Sequence, residues 1–210
     1  EAIRLQPAHS NAFYYRGIAY GNLGEYQKAI GDYTEAILLR PYFIDAFYNR
    51  GIAHWRLGEY QKAIDEYTET IGLRPDFPGA FNNRGVAYGN LGEHQKAIDD
   101  YTEAIRLRPD FPGAFHNRGI AYGNLGEHQK AIDDFTQAIW LQPDFPEAFY
   151  NRGKPYGDLG EHQKAIDNYT EAILLRPDFP EAFNNRGIAY GNLGEHQKAI
   201  DDYTEAIRLQ

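Results

Sequence analysis

The chain has no cysteine and a single serine, Ser10, among its 210 residues. The absence of cysteine excludes disulfide bonds, thiolate zinc sites and cysteine nucleophiles. No apolar run approaches the roughly 18 residues that a membrane-spanning helix needs, so no membrane span is predicted. The chain also lacks any run of lysine or arginine, and its net charge of -9 opposes a phosphate backbone. Nucleic acid is therefore not expected as a partner.

The composition is that of a folded protein, because 42% of the residues are hydrophobic and 24% are charged. Such a chain has enough apolar side chains to bury a core and does not resemble a disordered segment. A protein without cysteine fits either an oxidising or a reducing compartment, and of these we favour the cytoplasm.

An arginine–glycine pair recurs every 34 residues, at Arg16-Gly17, Arg50-Gly51, Arg84-Gly85, Arg118-Gly119, Arg152-Gly153 and Arg186-Gly187. A fixed period of this length is typical of a repeat architecture. We count Ser10 as position 1 of the first repeat. The predicted units are then a tail of a preceding repeat at 1–9, followed by repeats at 10–43, 44–77, 78–111, 112–145, 146–179 and 180–210, the last truncated.

Each repeat predicts two helices joined by a tight turn. In repeat three, Pro78 suits the first turn of a helix, where no backbone donor is needed. The sequence Asn-Leu-Gly at 90–92 interrupts the apolar pattern. A second helix is predicted to begin near Glu93 and to end before Pro109. One hairpin cannot bury its own apolar face, so neighbouring hairpins are expected to stack.

This pattern resembles the tetratricopeptide repeat (TPR) family, which places aromatic, small and proline residues at set offsets. In repeat one they are Phe13, Arg16-Gly17, Tyr20, Ala29, Tyr33, Ala36 and Pro41. The chain departs from the family in having arginine where leucine is usual, and in His54 and Thr70 of repeat two. The resemblance covers the whole chain. It implies an all-α fold, a right-handed α-solenoid of helix-turn-helix hairpins, which acts as a non-catalytic scaffold without a cofactor.

No catalytic or metal site is predicted from the two recurring series that could carry chemistry. Threonine recurs at position 25, and no activating base stands specially near any one of them. A metal site needs ligands that converge within a few Å, whereas equivalent residues of adjacent repeats should lie about 10 Å apart. The histidines at position 17 are therefore predicted to form a solvated stripe. They are His94, His128, His162 and His196.

The arginines at position 7 lie on the first helix of each repeat, where a cation needs a partner or a route to water. We predict that each forms an ion pair with an acid on the second helix. Those acids are Asp32, Glu66, Asp100, Asp134 and Asp202, and repeat five has Asn168 instead.

Position 6 carries the first set of candidate binding residues, namely Asn49, Asn83, Asn117, Asn151 and Asn185. In TPR proteins the first helices line a concave groove, and the series resembles an amide ladder that holds a peptide backbone. An amide both donates and accepts hydrogen bonds, which suits a grip on main chain. The alternative is that duplication of nearly identical repeats has simply copied the asparagine.

The second set varies between repeats, as expected of a binding face. Position 5 is Tyr14, Tyr48, Asn82, His116, Tyr150 and Asn184. In repeat two, Trp55-Arg56 replaces a glycine followed by asparagine or aspartate, and these are residue types enriched at binding hot spots. Acids at position 2, such as Asp45 and Glu147, favour a neutral to basic protein or peptide partner.

Repeat five contains Lys154-Pro155 within its first helix, which predicts either a hinge or a tolerated defect. The segment 1–6 is identical to 205–210, so head-to-tail self-association is expected. Two alternative functions follow from the resemblance and the ends of the chain. One is a self-assembling structural array, and the other is the regulatory TPR arm of a larger enzyme.

Overall fold

The computed structural model describes residues 7–209, which form twelve α-helices and no β-strand. This confirms the predicted all-α fold of tandem hairpins. The duplicated segment 1–6, on which the expected head-to-tail contact depends, lies outside the described residues. The helices are α1 (Pro7–Asn22), α2 (Tyr26–Leu39), α3 (Ile44–Arg56), α4 (Tyr60–Leu73), α5 (Pro78–Asn90), α6 (His94–Leu107), α7 (Pro112–Asn124), α8 (His128–Leu141), α9 (Pro146–Asp158), α10 (His162–Leu175), α11 (Pro180–Asn192) and α12 (His196–Arg208).

The chain forms two compact units, Glu1–Pro109 and Asp110–Gln210. The first contains hairpins α1–α2, α3–α4 and α5–α6, and the second contains α7–α8, α9–α10 and α11–α12. Within each unit, the second helix of one hairpin packs against the first helix of the next. Stacking therefore buries the apolar faces that a single hairpin would expose.

The turn of each hairpin depends on a glycine in the left-handed region. In repeat three, Gly92 has a φ of 76°, which an L side chain rarely adopts. The Glu93 N–H then donates to the Tyr88 carbonyl at 2.9 Å, which satisfies a carbonyl at the end of α5. The second helix begins at His94, directly after the predicted start.

Close contact between the two helices of a hairpin depends on the glycine at position 8. A Cβ atom built on Gly119 would lie 2.8 Å from Cε1 of Phe135, which is 2% exposed. The glycine therefore admits the aromatic ring at position 24 directly against the backbone of the first helix. On the same helix as Phe135, Ala131 and Ala138 are fully buried.

Two glycines on α7 test that packing argument. Gly119→Ala should destabilise the second unit by about 1–3 kcal/mol, because the methyl group meets the Phe135 ring. Gly123→Ala should instead stabilise it by about 0.5–1 kcal/mol, since no atom lies within 4 Å of the added Cβ and alanine favours a helix. Urea unfolding followed by circular dichroism measures both. Equal effects of the two substitutions would contradict the argument.

Helix α9 continues unbroken through Pro155. It has 13 residues, as do the equivalent helices α7 and α11. Pro155 is buried at the position that Ala121 occupies in repeat four. Because proline has no N–H, the Asn151 carbonyl lacks its helical donor. The helix is continuous at this point, and the choice between a hinge and a tolerated defect stays a prediction.

Restoring the repeat residue should recover the lost stability. Pro155→Ala is expected to raise the free energy of unfolding by about 3 kcal/mol, the usual cost of an internal proline. Hydrogen exchange of the α9 and α10 amides measures the change locally. The matched control Ala121→Pro should lower protection in α7 by a similar amount. An unchanged exchange rate in Pro155→Ala would show that the helix does not carry this cost.

Candidate binding groove

The position-7 arginines form the predicted contacts with the second helix of their own repeat. Arg84 donates from Nε and Nη2 to the two carboxylate oxygens of Asp100, at 2.8 and 2.7 Å. Arg50 lies 2.9 Å from Glu66. Burial nevertheless raises the pKa of Asp100, with Arg84 opposing the shift. The guanidinium therefore opposes the desolvation of this carboxylate, and removal of either partner would leave a buried charge unpaired.

A second contact of the same arginines was not predicted from the sequence. Nη1 of Arg84 donates to the Thr68 hydroxyl of the preceding repeat at 3.1 Å. Thr68 in turn donates to the Ile64 carbonyl at 2.8 Å. The threonine series therefore connects neighbouring repeats, and the spacing of 16 residues from threonine to arginine is its signal in the sequence.

The asparagines at position 6 contact the position-5 side chain of the preceding repeat. Nδ2 of Asn83 donates to the Tyr48 hydroxyl at 2.9 Å, and Nδ2 of Asn185 donates to the Tyr150 hydroxyl at 3.1 Å. The same contact joins Asn49 to Tyr14 at 3.1 Å and Asn151 to His116 at 2.9 Å. Two sets of predicted binding residues are thus partners of each other within each unit.

The position-5 rings also belong to the packed interior between repeats. The Tyr48 ring centroid lies 4.7 Å from that of Phe77 and 5.9 Å from that of Tyr67. Burial raises the pKa of the Tyr48 hydroxyl. Where position 5 is an asparagine, it donates instead to its neighbour, with Asn82 Nδ2 3.2 Å from Asn83 Oδ1 and Asn184 Nδ2 3.3 Å from Asn185 Oδ1. Asn117 is half-buried.

A double-mutant cycle can measure this link between repeats. Tyr48→Phe and Asn83→Ala should each destabilise the first unit by about 1 kcal/mol, because each removes one partner of a half-buried hydrogen bond. The double variant should cost less than the sum by roughly 0.5–1 kcal/mol. Thermal unfolding of the four proteins supplies the values. Strict additivity would mean that the bond carries no coupling energy.

A cavity of about 330 Å³ opens between repeats two and three of the first unit. Its lining joins three predicted residues to three that sequence reasoning missed, and these six are Trp55, Arg56, Asn83, Ile52, Tyr67 and Val86. The Trp55 indole is half-buried, and its Nε1 has no hydrogen-bond partner among residues 7–209. The Arg56 guanidinium lies 5.2 Å from the centroid of that indole. The cavity is therefore mainly apolar, with one cation at its rim.

Ile52 and Val86 occupy position 9 of consecutive repeats, and both line this cavity because α3 and α5 each pack against α4. Ordinary apolar residues at this position gave no signal of a cavity in the sequence. Trp55-Arg56 gave one because both residues depart from the other repeats.

Two further cavities lie at the equivalent place in the second unit. A cavity of about 190 Å³ lies between repeats four and five, and a cavity of about 260 Å³ lies between repeats five and six. Both are lined by Lys154 and Asp158, so they adjoin. The Lys154 ammonium lies 4.4 Å from the Tyr150 ring centroid, and burial lowers the pKa of Lys154. This groove is more polar than the Trp55 cavity and carries charges of both signs.

The prediction of a solvated histidine stripe is wrong for three of the four residues. His94, His128 and His162 are half-buried, with Nδ1 atoms that are inaccessible and form no hydrogen bond in the described chain, whereas His196 is exposed. His128 and His162 instead line the cavities of the second unit. Stacking of the next repeat covers this position, which a pattern within one repeat does not reveal.

Acids at position 2 are paired where the same repeat carries an arginine at position 31. Glu147 contacts Arg176 at 2.6 Å, and Asp45 lies 3.7 Å from Arg74. Their charge is therefore largely offset within the repeat.

Between residues 7 and 209, no group of three or more histidine or acidic side chains could hold a metal ion. None of the helices described for the chain is both long enough and apolar enough to cross a membrane.

Family models place the chain among known repeats. The tetratricopeptide repeat model matches residues 10–43, 78–111, 112–145 and 180–210, and a second TPR model matches residues 56–92 and 153–194. The four ranges of the first model coincide with predicted repeats one, three, four and six. In sequence, no curated protein matches the chain.

Several solved structures share the fold. MamA is 28% identical with a TM-score of 0.71, over 76% of this chain and 93% of its own. YrrB, described as a TPR protein with an unusual peptide-binding site, is 21% identical with a TM-score of 0.69, over 85% of this chain and 92% of its own. Pseudomonas aeruginosa pilF is 17% identical with a TM-score of 0.83, over 96% of this chain and 92% of its own.

Proposed function

The chain belongs to the tetratricopeptide repeat family, and we propose that it is a scaffold whose inter-repeat groove binds an extended segment of a partner protein. Repeats of this family are generally non-catalytic interaction modules. The observation that carries the proposal is the cavity lined by Trp55, Arg56 and Asn83, because it brings two residues that depart from the other repeats next to an asparagine of the position-6 series.

The cavity combines apolar walls with a few polar groups, as ligand sites usually do. Ile52, Val86 and the Trp55 indole offer a surface for one apolar side chain of the ligand. Arg56 lies at the rim and has donors for main-chain carbonyl groups, which an extended segment presents at every residue. Burial of a ligand side chain would supply affinity, and hydrogen bonds to the ligand main chain would fix the direction in which the segment lies in the groove.

The asparagine amides at position 6 have fewer groups available to bind a peptide backbone than unpaired amides would have. Asn83 donates to Tyr48 and accepts from Asn82. Asn49 donates to Tyr14 and to the Asp45 carbonyl, which leaves its Oδ1 as an acceptor for a backbone N–H. In this proposal the asparagines mainly hold the repeats together, and an oxygen such as Oδ1 of Asn49 is the acceptor that they offer to the ligand.

The charge distribution favours a neutral segment over a basic one. The acids Asp45 and Glu147 are offset by arginines of their own repeats. Arg56 would repel a basic side chain at the Trp55 cavity. Lys154 and Asp158 place one charge of each sign in the cavities of the second unit. We therefore propose a partner segment of low net charge with at least one large apolar side chain.

A peptide library displayed on phage and selected against the whole chain tests this function. Selected peptides should carry a large apolar residue, and Trp55→Ala should weaken their binding by about 30-fold, the loss expected for a hot spot of roughly 2 kcal/mol. Arg56→Asn, which restores the residue of other repeats, should weaken binding less. Isothermal titration with the selected peptides measures both losses.

Trp140 is the matched control, because it is the only other tryptophan and is 73% exposed on the second helix of repeat four. Trp140→Ala should leave peptide affinity unchanged. Trp140→Phe leaves Trp55 as the sole tryptophan, so its fluorescence should change on saturation with peptide. Selected peptides that bind equally well to Trp55→Ala would refute the proposed site, and failure to select any peptide would refute peptide binding.

A further inference from the structure

Repeat five lacks the carboxylate that the other repeats provide for their position-7 arginine. Asn168 stands where the others have aspartate or glutamate. In the other repeats, the guanidinium lies within 2.9 Å of a carboxylate oxygen, as with Arg118 and Asp134 at 2.7 Å or Arg186 and Asp202 at 2.7 Å. Arg152 thus recurs at the position that every repeat gives to arginine, but its own repeat lacks the acid that the others place opposite it.

The contacts of Arg152 are all with neutral groups. Its Nε donates to Asn168 Oδ1 at 2.7 Å, and its Nη1 donates to the Thr136 hydroxyl at 3.0 Å. Asn168 directs its own Nδ2 to the Lys164 carbonyl at 2.8 Å, so that amide donates elsewhere. In the described part of the chain, Nη2 of Arg152 makes no hydrogen bond, although the equivalent atom of Arg186 donates to Asp202.

A cavity of about 380 Å³ lies beside this arginine. Its lining shares no residue with the grooves described above, and consists of Arg152, Gln163, Ile166, Asp167, Asn168, Thr170, Glu171 and Tyr190. Burial lowers the pKa of Arg152, whereas the paired arginines Arg84 and Arg186 have raised pKa values. A partly desolvated guanidinium with an unused donor is therefore open to a space large enough for a ligand.

We propose that this cavity binds a carboxylate supplied from outside the chain, an acidic side chain of a partner protein that completes the missing ion pair of repeat five. A charge-assisted hydrogen bond from Arg152 Nη2 would hold it. Asp167 and Glu171 also line the cavity, so an isolated anion would bind there more weakly than a carboxylate that has a cation beside it. The site therefore selects a carboxylate that is borne next to a basic side chain.

The first test uses acetate as the probe and Asn168→Asp as the matched variant. Asn168→Asp supplies the carboxylate internally, in the arrangement that four other repeats already have. Acetate titrated at constant ionic strength should shift the Nε–Hε NMR signal of Arg152 in a saturable way in the native chain. The same signal should move at least threefold less in Asn168→Asp. Equal responses in the two proteins would overturn the proposal.

The second test separates a partner's acidic side chain from any free carboxylate. The capped dipeptide amide with aspartate and lysine should bind several-fold tighter than the one with aspartate and alanine, because the lysine offsets Asp167 and Glu171. In Glu171→Gln this preference should shrink. Equal affinity for the two dipeptides would overturn the selectivity. Because the site shares no lining residue with the Trp55 cavity, peptides selected at that cavity should bind Asn168→Asp unchanged.

Discussion

The close contact between the glycine at position 8 and the aromatic ring at position 24 is the constraint on which the rest of the structure depends. A ring such as Phe135 lies against the backbone at Gly119 because no Cβ intervenes. The neighbouring positions, 7 and 23, are then brought together by the same approach. This is why Arg118 contacts Asp134 at 2.7 Å, and why an arginine is tolerated where the family usually has leucine. Helix separation and ion pair are two results of one packing arrangement.

Within a unit, the first helix of each repeat is joined to the preceding repeat by two different hydrogen bonds. Arg84 contacts Thr68 on one side, and Asn83 contacts Tyr48 on another. On the first helices these contacts occupy positions 5 to 7, and the proposed binding cavity adds residues at positions 9, 12 and 13 to Asn83 at position 6. Ile52, Trp55 and Arg56 hold those three positions in repeat two. Ile52 and Trp55 also pack against the buried cluster of Ala63, Ile64, Tyr67 and Ala87, so the proposed binding residues share in the stacking of repeats two and three.

Sequence reasoning recovered the helices, the turns and the ion pairs, because all three follow from local patterns or from contacts inside one repeat. It singled out Trp55 and Arg56 because they break a repeated pattern, and their role in binding stays a prediction. It did not find that Asn83 and Tyr48 bond each other, or that His128 is half-buried, because those contacts join residues of neighbouring repeats. Residues at given positions of neighbouring repeats either contact each other or lie apart, and the rise between the repeats decides which. That quantity is a property of the stacked structure.

Nearly identical repeats make their few departures informative. Stability in such an array is approximately a sum of repeat and interface contributions, so strong neighbours can support one weak repeat. Repeat five concentrates unfavourable features, since Pro155 removes a helical hydrogen bond and Asn168 leaves Arg152 without a counter-charge. A globular domain with a single core would lose stability throughout from such changes, whereas an array confines the loss to one hairpin. A repeat protein can therefore place incompletely satisfied groups, which are the groups most able to gain from a ligand, in one repeat without endangering the fold of the others.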